Sequence, residues 1–252
     1  PGLPLSFLDH NLVTGNSLTG IGTLDEVSDF LEGGLAKAHI DAQIEAAQPY
    51  LDRLTALSDA TIEDIDAARE AAEEARQALQ PVTQLLDMLV LSRAGLAEID
   101  PLFLTDEDLV ARRHRDDKAQ ELLSMLKPIH FPIAFPEVFT HDVLGFGCLI
   151  GNPPWDKLMV KEDDYWLPFV PGLAKLKGND KKKSIQQASK NYPIEKLSLD
   201  LLTKESKLMR THLHPGPWPG AAKGHFDLYK MFVWRFWSLA NVDGFIGIVV
   251  PW

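Results

Sequence analysis

The sequence predicts an α/β protein: part of a Rossmann-like, doubly wound sheet that carries a large helical insertion built on an antiparallel hairpin. Two observations point there. Two short apolar runs, Phe146 to Ile150 and Phe245 to Val250, are each bounded by turn residues, and an amphipathic aromatic stretch over 226–240 precedes the second. Strand, long insertion, helix, strand is the order of a parallel sheet. The long stretch 35–97 instead repeats apolar residues every three to four positions, the helical period. Of the 252 residues, 45% are apolar and 24% charged, the composition of an ordinary folded domain. The single cysteine, Cys148, excludes a disulfide framework and a cysteine-based zinc site.

Taken in order, residues 1–23 form a short mixed segment, with Leu12-Val13-Thr14 as a brief strand and Gly15-Asn16-Ser17-Leu18 as a turn. Residues 24–127 form the helical insertion. Gly33-Gly34 breaks a first short helix. Leu35, Ile40, Ile44, Ala47, Leu51 and Leu54 then space out a second, which Pro49 is expected to kink or divide. Ser58-Asp59-Ala60-Thr61 is a turn rich in N-cap residues. Ile62, Ile65, Ala68, Ala72, Ala75 and Leu79 mark the return helix, a more apolar helix covers 82–97, and a charged one follows over 103–126. Intramolecular packing accounts for this insertion, and none of it suggests chemistry. Residues 128–252 return to the sheet. Ile129 to Phe139 reads as extended, and the Lys-rich insertion 156–224 as irregular, with Gly178-Asn179-Asp180 and 215–220 as loops.

No apolar run approaches 18 residues, so no transmembrane helix is expected. The opening Pro-Gly-Leu-Pro has neither the basic region nor the apolar core of a signal peptide. There is no initial methionine, and the chain stops just past a strand-like run. Both ends read as cut, as in an excised piece of a longer protein.

The net charge of −11 argues by itself against a nucleic-acid partner. Its distribution is uneven. Residues 1–155 hold 10 Lys/Arg against 26 Asp/Glu, and residues 156–252 hold 15 against 10. That asymmetry fits a phosphate-facing part, or equally an acidic solvated helical region beside a nearly neutral one.

The strongest chemical signal is Asn152-Pro153-Pro154-Trp155, directly after the first strand. Ligands of open α/β sheets sit beyond the carboxyl ends of the strands. An amino group conjugated to a ring becomes nucleophilic when acceptors draw its hydrogens out of the ring plane. The Asn152 side-chain carbonyl is one acceptor and the backbone carbonyl of Pro153 a second. The two prolines hold the backbone extended and carry no competing N–H. Trp155 offers a face on which a base can stack, worth roughly 1–3 kcal/mol. The bland alternative is a stiff turn after a strand.

The segment resembles motif IV of the amino-methyltransferases, which methylate exocyclic amines from S-adenosyl-L-methionine. The surrounding order runs Phe7-Leu8-Asp9-His10, Gly15-Asn16-Ser17-Leu18, a helical insert, His130-Phe131-Pro132, Phe135-Pro136-Glu137-Val138-Phe139, Asn152-Pro153-Pro154-Trp155, Phe226-Asp227-Leu228-Tyr229-Lys230 and Gly247-Ile248-Val249-Val250-Pro251. It is similar to large bacterial DNA N6-adenine methyltransferases, the fused type IIG restriction–modification enzymes and the methyltransferases of BREX and DISARM phage defence. The resemblance implies an S-adenosylmethionine-dependent methyltransferase sheet, double-stranded DNA as partner and a bacterial cytoplasmic setting. It also implies a target-recognition region or fused nuclease outside this chain. It implies that Asn152 and Pro153 receive the target amino group, with Pro154 in the same motif, and that Trp155 stacks on a flipped adenine. It places Asn16, with Gly15, at the cofactor adenine, and Asp227 and Tyr229 in a helix walling the pocket.

Two departures stand out. The strand before the motif commonly begins Phe-Asp in that family, and here it reads Phe146-Gly147-Cys148-Leu149-Ile150-Gly151. The glycine-rich cofactor loop has no counterpart in these 252 residues, so this piece is not expected to methylate by itself. Two rivals remain: methylation of RNA or of a protein glutamine, and a non-catalytic helical scaffold on a degenerate core. His212, His214 and His225 lack a carboxylate that would complete a metal site, so no metal is expected. Lys181-Lys182-Lys183 suits either phosphate or plain solvation. Cys148 reads as core.

Overall fold

A computed structural model describes residues 12–27, 34–56, 62–96, 106–139, 144–155, 158–219 and 227–251. The described chain is mixed α/β and mostly helical, with one two-stranded parallel sheet. The helices are α1 (Gly34–Ala56), α2 (Ile62–Ala78), α3 (Gln80–Arg93), α4 (Glu107–His114) and α5 (Asp117–Leu126), followed by the short α6 (Phe131–Ala134) and α7 (Pro136–Phe139). Strand β1 (Phe146–Gly151) comes next, then α8 (Glu162–Trp166), a 3₁₀ turn at Leu173–Lys175, α9 (Gly178–Asn191), α10 (Pro193–Leu213), α11 (Leu228–Leu239) and β2 (Ala240–Ile248).

The helical insertion folds around α3. Val82, Leu85, Leu86, Met88, Leu89, Val90 and Leu91 are all buried, as are Asp87 and Arg93, so this helix sits at the centre. It touches α1, α2, α4, α5 and α10. Helices α1 and α2 lie against each other, as the hairpin reading expects, with Arg53 and Glu74 paired across them at 2.6 Å. Pro49 neither divides nor ends α1. Burial of Ile40, Ile44 and Ala47 in the shared core holds the helix through one missing backbone hydrogen bond. The charged helix over 103–126 is two helices, because Asp106 and Asp116 each cap a new start. The Asp106 carboxylate accepts from the Leu109 amide, and Asp116 from those of Lys118 and Ala119. The turn at 58–61, the Gly33 break and Phe7 to His10 lie outside the described residues.

Elsewhere the expectations need correction. Leu12-Val13-Thr14 forms no strand; only Asn16 bridges to Pro128. Ile129 to Phe139 is not extended. It winds into α6 and α7, because Pro132 and Pro136 sit in first turns, where a missing N–H costs nothing. The Lys-rich insertion is helical, with its own core of Trp166, Leu173, Ile185, Ala188 and Leu199. Gly178 opens α9 rather than breaking it.

The sheet is the largest departure. Strands β1 and β2 pair in parallel, Cys148 opposite Phe245 and Gly151 opposite Ile248, with an irregularity between Phe146 and Cys148. Two parallel strands with a helix-bearing connection are consistent with part of an α/β sheet. They are not the buried strands expected. Ile150 is 84% exposed and Phe245 77% exposed, and Cys148 is on the surface rather than in the core. With only two strands described, each is an edge and each face is largely open. The inner end is covered by an aromatic group: Phe135 and Phe139 meet Phe146 edge-on at 5.5 and 5.7 Å.

Candidate functional site

The Asn-Pro-Pro-Trp loop leaves the carboxyl end of β1 beside the carboxyl end of β2. The Val249 amide donates to the Gly151 carbonyl at 3.1 Å, continuing the ladder past the strand ends. The Trp155 indole N–H donates to the Val249 carbonyl at 3.2 Å. The loop is thus tied to Val249-Val250-Pro251 at two points. Pro153 is buried and anchors it, whereas Asn152 and Pro154 are exposed. Trp155 is 52% exposed, so its indole is oriented by one hydrogen bond while much of its surface stays open. Among the described residues, neither the Asn152 side chain nor the Pro153 carbonyl is occupied by a hydrogen bond. Gly151 rests directly on α11: a Cβ there would lie 2.6 Å from the Phe236 ring. The helix therefore sets the height of the loop.

Asn16 and Gly15 line a cleft of about 670 Å³ together with Ser124, Lys127 and Glu205, and none of residues 152–155 lines it. The Asn16 carbonyl oxygen accepts from the Leu18 amide at 3.0 Å, an Asx turn that fixes the side chain. Its amide group approaches only the Met209 sulfur, at 3.9 Å. Both polar atoms of the Asn16 side chain thus have contacts within the protein. Gly15 has a structural reason as well, since a Cβ would lie 2.6 Å from Ile129 and 2.8 Å from the Lys127 carbonyl. Asp227 stands at the N-cap of α11 and pairs with Lys230 at 2.8 Å. That pairing raises the Lys230 ammonium above its usual range. The cleft is wide enough for a small-molecule ligand, with Asn16 on its wall. The Asp227 carboxylate is already engaged. Tyr229 follows it in the first turn of α11. Leu18, Leu158, Leu228 and Met231 share one apolar cluster, so the Asn16 turn, the segment after the loop and α11 are neighbours in the core.

Sequence reasoning missed the buried ionic cluster that holds the Asn16 turn in place. Glu26 receives the guanidinium of Arg235 and lies 3.5 Å from that of Arg93, all three residues being buried. Arg235 also donates to the Gly20 carbonyl at 2.9 Å and stacks on Trp218 at 5.0 Å. Gly22 leaves room for this: a Cβ there would overlap Arg235 at 1.7 Å. The residues expected in the core of the aromatic helix are Met231, Phe232, Trp234, Phe236 and Trp237, with Phe226 outside the described residues. Met231 is fully buried, as are Arg235 and Leu239, whereas Trp237 is 71% exposed. The four-residue spacing of Met231, Arg235 and Leu239 was the available signal, a charge standing in the core row.

His212 is no metal ligand. It is buried, with Nε2 2.7 Å from the Thr19 carbonyl and Nδ1 3.2 Å from that of Val90. Burial, then the Arg93 charge, push it down to about 4 against two carbonyls that favour the cation. The neutral ring has one N–H, which the shorter contact assigns to Nε2. His130 accepts from the Ile21 amide through Nδ1 at 3.2 Å and meets Asp87 through Nε2 at 3.1 Å. His114 meets the other Asp87 oxygen at 2.8 Å. Burial raises the Asp87 carboxyl, but the two histidines outweigh it and hold it below its ordinary value. Among the described residues, no group of three or more His, Cys, Asp or Glu is placed to hold a metal, and no helix is long and apolar enough to cross a membrane.

The chain matches no family model, no curated protein and no solved structure.

Proposed function

We propose that this chain is part of a site-specific DNA methyltransferase that transfers a methyl group from S-adenosylmethionine to the N6 of adenine, in restriction–modification or phage defence. One observation carries the reading. Asn152 and the Pro153 carbonyl, to which no described residue hydrogen-bonds, stand at the carboxyl end of a parallel strand, beside a tryptophan whose indole is anchored by one hydrogen bond and 52% exposed.

The chemistry follows from those groups. Bound S-adenosylmethionine would supply an electrophilic methyl on a sulfonium. The adenine amino group is a poor nucleophile because its lone pair is spread into the ring. The Asn152 oxygen and the Pro153 carbonyl accept its two hydrogens and turn the lone pair out of the plane. With the methyl that the bound cofactor would supply, the nitrogen would form its bond to the methyl carbon, the thioether sulfur would leave with its pair, and the extra proton would pass to solvent. Trp155 stacks on the base, which must leave the duplex for this angle of approach. Gly15 and Asn16 would line the cofactor adenine. Positioning and acceptor electrostatics do the catalysis, with no covalent enzyme intermediate.

The test uses the protein as its gene encodes it, labelled S-adenosylmethionine, and duplex DNA, RNA and protein acceptors. Label on DNA adenine is expected, falling at least 100-fold in Asn152→Ala with an unchanged circular dichroism spectrum. Undiminished transfer in that variant, or label only on RNA or protein, contradicts the reading.

A further inference from the structure

We infer that the outer face of α9 is a docking surface for the phosphate backbone of double-stranded DNA, built on the insertion that follows the Asn-Pro-Pro-Trp loop. The choice of DNA rests on the function proposed above. The surface itself rests on separate observations.

Residues 173–190 hold six lysines and one acidic residue, in a chain whose net charge is −11. Lys181 is withdrawn by its ion pair with Asp163 on α8, at 2.6 Å. Lys175, Lys177, Lys182, Lys183 and Lys190 are all exposed, and none has an ion pair among the described residues. At 100° per residue, Lys182, Lys183 and Lys190 fall within one arc of α9, on the side away from the buried Ile185 and Ala188. From Lys182 to Lys190 the helix advances about 12 Å, the axial length over which duplex DNA carries about seven charges.

The face is held rigidly. Trp166, Leu173, Ile185, Ala188 and Leu199 make a separate core under it, with Tyr165, Phe169 and Tyr192 packed around. The Tyr165 hydroxyl donates to the Glu195 carbonyl at 2.8 Å, joining α8 to α10. Val160 packs on this core, five positions after Trp155 in sequence. Local stability is given up to keep the charge. Lys177 occupies the N-cap of α9 and caps nothing, where Ser, Asp or Asn would stabilise the helix.

A protein this acidic repels a polyanion over most of its surface. Binding then requires one concentrated cationic face, which also fixes the orientation of approach. Lysines spaced along a helix read charge and not sequence, so the contact positions the duplex and leaves base recognition to other groups.

The experiment measures binding of the 252-residue chain to a 30-base-pair duplex by fluorescence anisotropy between 50 and 300 mM salt. The variants are K182Q/K183Q/K190Q and a charge-matched control on the helical insertion, R112Q/R113Q/K118Q. The lysine variant is expected to lose roughly 10- to 100-fold in affinity at 150 mM salt, with the slope of log K against log salt smaller by about 2.7. The control should stay within about threefold. Equal losses in both variants, no loss in the lysine variant, no duplex binding at 50 mM salt, or preference for a 30-nucleotide RNA would each overturn the proposal. Asn152→Ala should bind with the wild-type slope. Patch-dependent binding without methyl transfer therefore sinks the catalytic reading alone, and methyl transfer without patch dependence sinks this one alone.

Discussion

Lys127 is the one described non-glycine residue with positive φ, at +46°. It ends α5 in the left-handed conformation, and its carbonyl takes the Asn16 amide at 2.7 Å. An L-residue gives up about 1 kcal/mol there relative to glycine. Lys127→Gly should raise unfolding stability by about 1 kcal/mol, read from the urea midpoint, and leave the Asn16 turn in place. His212 predicts the opposite kind of effect. Its pKa falls from about 6.5 unfolded to about 4 folded, so the unfolded chain binds a proton that the folded chain refuses. Stability is full above pH 6.5 and is lost as pH falls to 4, by about 3 kcal/mol. Asp87, held below its ordinary range, adds a further loss beneath about pH 4 as it protonates. Urea midpoints in a pH series should show the first window, and His212→Gln should flatten it. A flat wild-type profile between pH 6.5 and 4 would contradict a neutral buried imidazole.

At the scale of elements, the loop after β1 depends on α11 beneath it. Gly151→Ala forces the Phe236 ring aside and should cost about 1–3 kcal/mol. A urea midpoint equal to wild type would mean that the helix does not support the loop. The sequence made some of these elements legible and hid others for identifiable reasons. Helices α1 to α3 were readable because their apolar rows repeat at helical spacing and tertiary packing agrees with it. Helix α9 was not, because it starts on Lys177 and Gly178, carries a lysine run and buries only Ile185 and Ala188. Helices α6 and α7 were hidden by prolines that read as breakers but stand at helix starts. The site was half legible: Asn152 to Trp155 stand at the end of a parallel strand as their types suggested. The Glu26–Arg235 pair joins positions 209 residues apart, and no local pattern connects them.

At the scale of the whole molecule, two parts of the chain converge on one support. The Asn16 turn is pinned by Arg235 through Gly20 and Glu26, and Arg235 belongs to the same α11 that underlies Gly151. A single helix thus relates the cleft beside Asn16 to the Asn-Pro-Pro-Trp loop. Glu26→Ala leaves two buried guanidiniums without their shared carboxylate and should cost about 3–5 kcal/mol in unfolding stability, read from urea denaturation.

The most direct measurement is a single-molecule sequencing map of adenine methylation in a host expressing the gene-encoded protein, against an Asn152→Ala control. The account predicts N6-methyladenine at one short recognition sequence in the wild type and its loss in the control. A genome without that signal, from cells in which the protein is soluble and abundant, would contradict it.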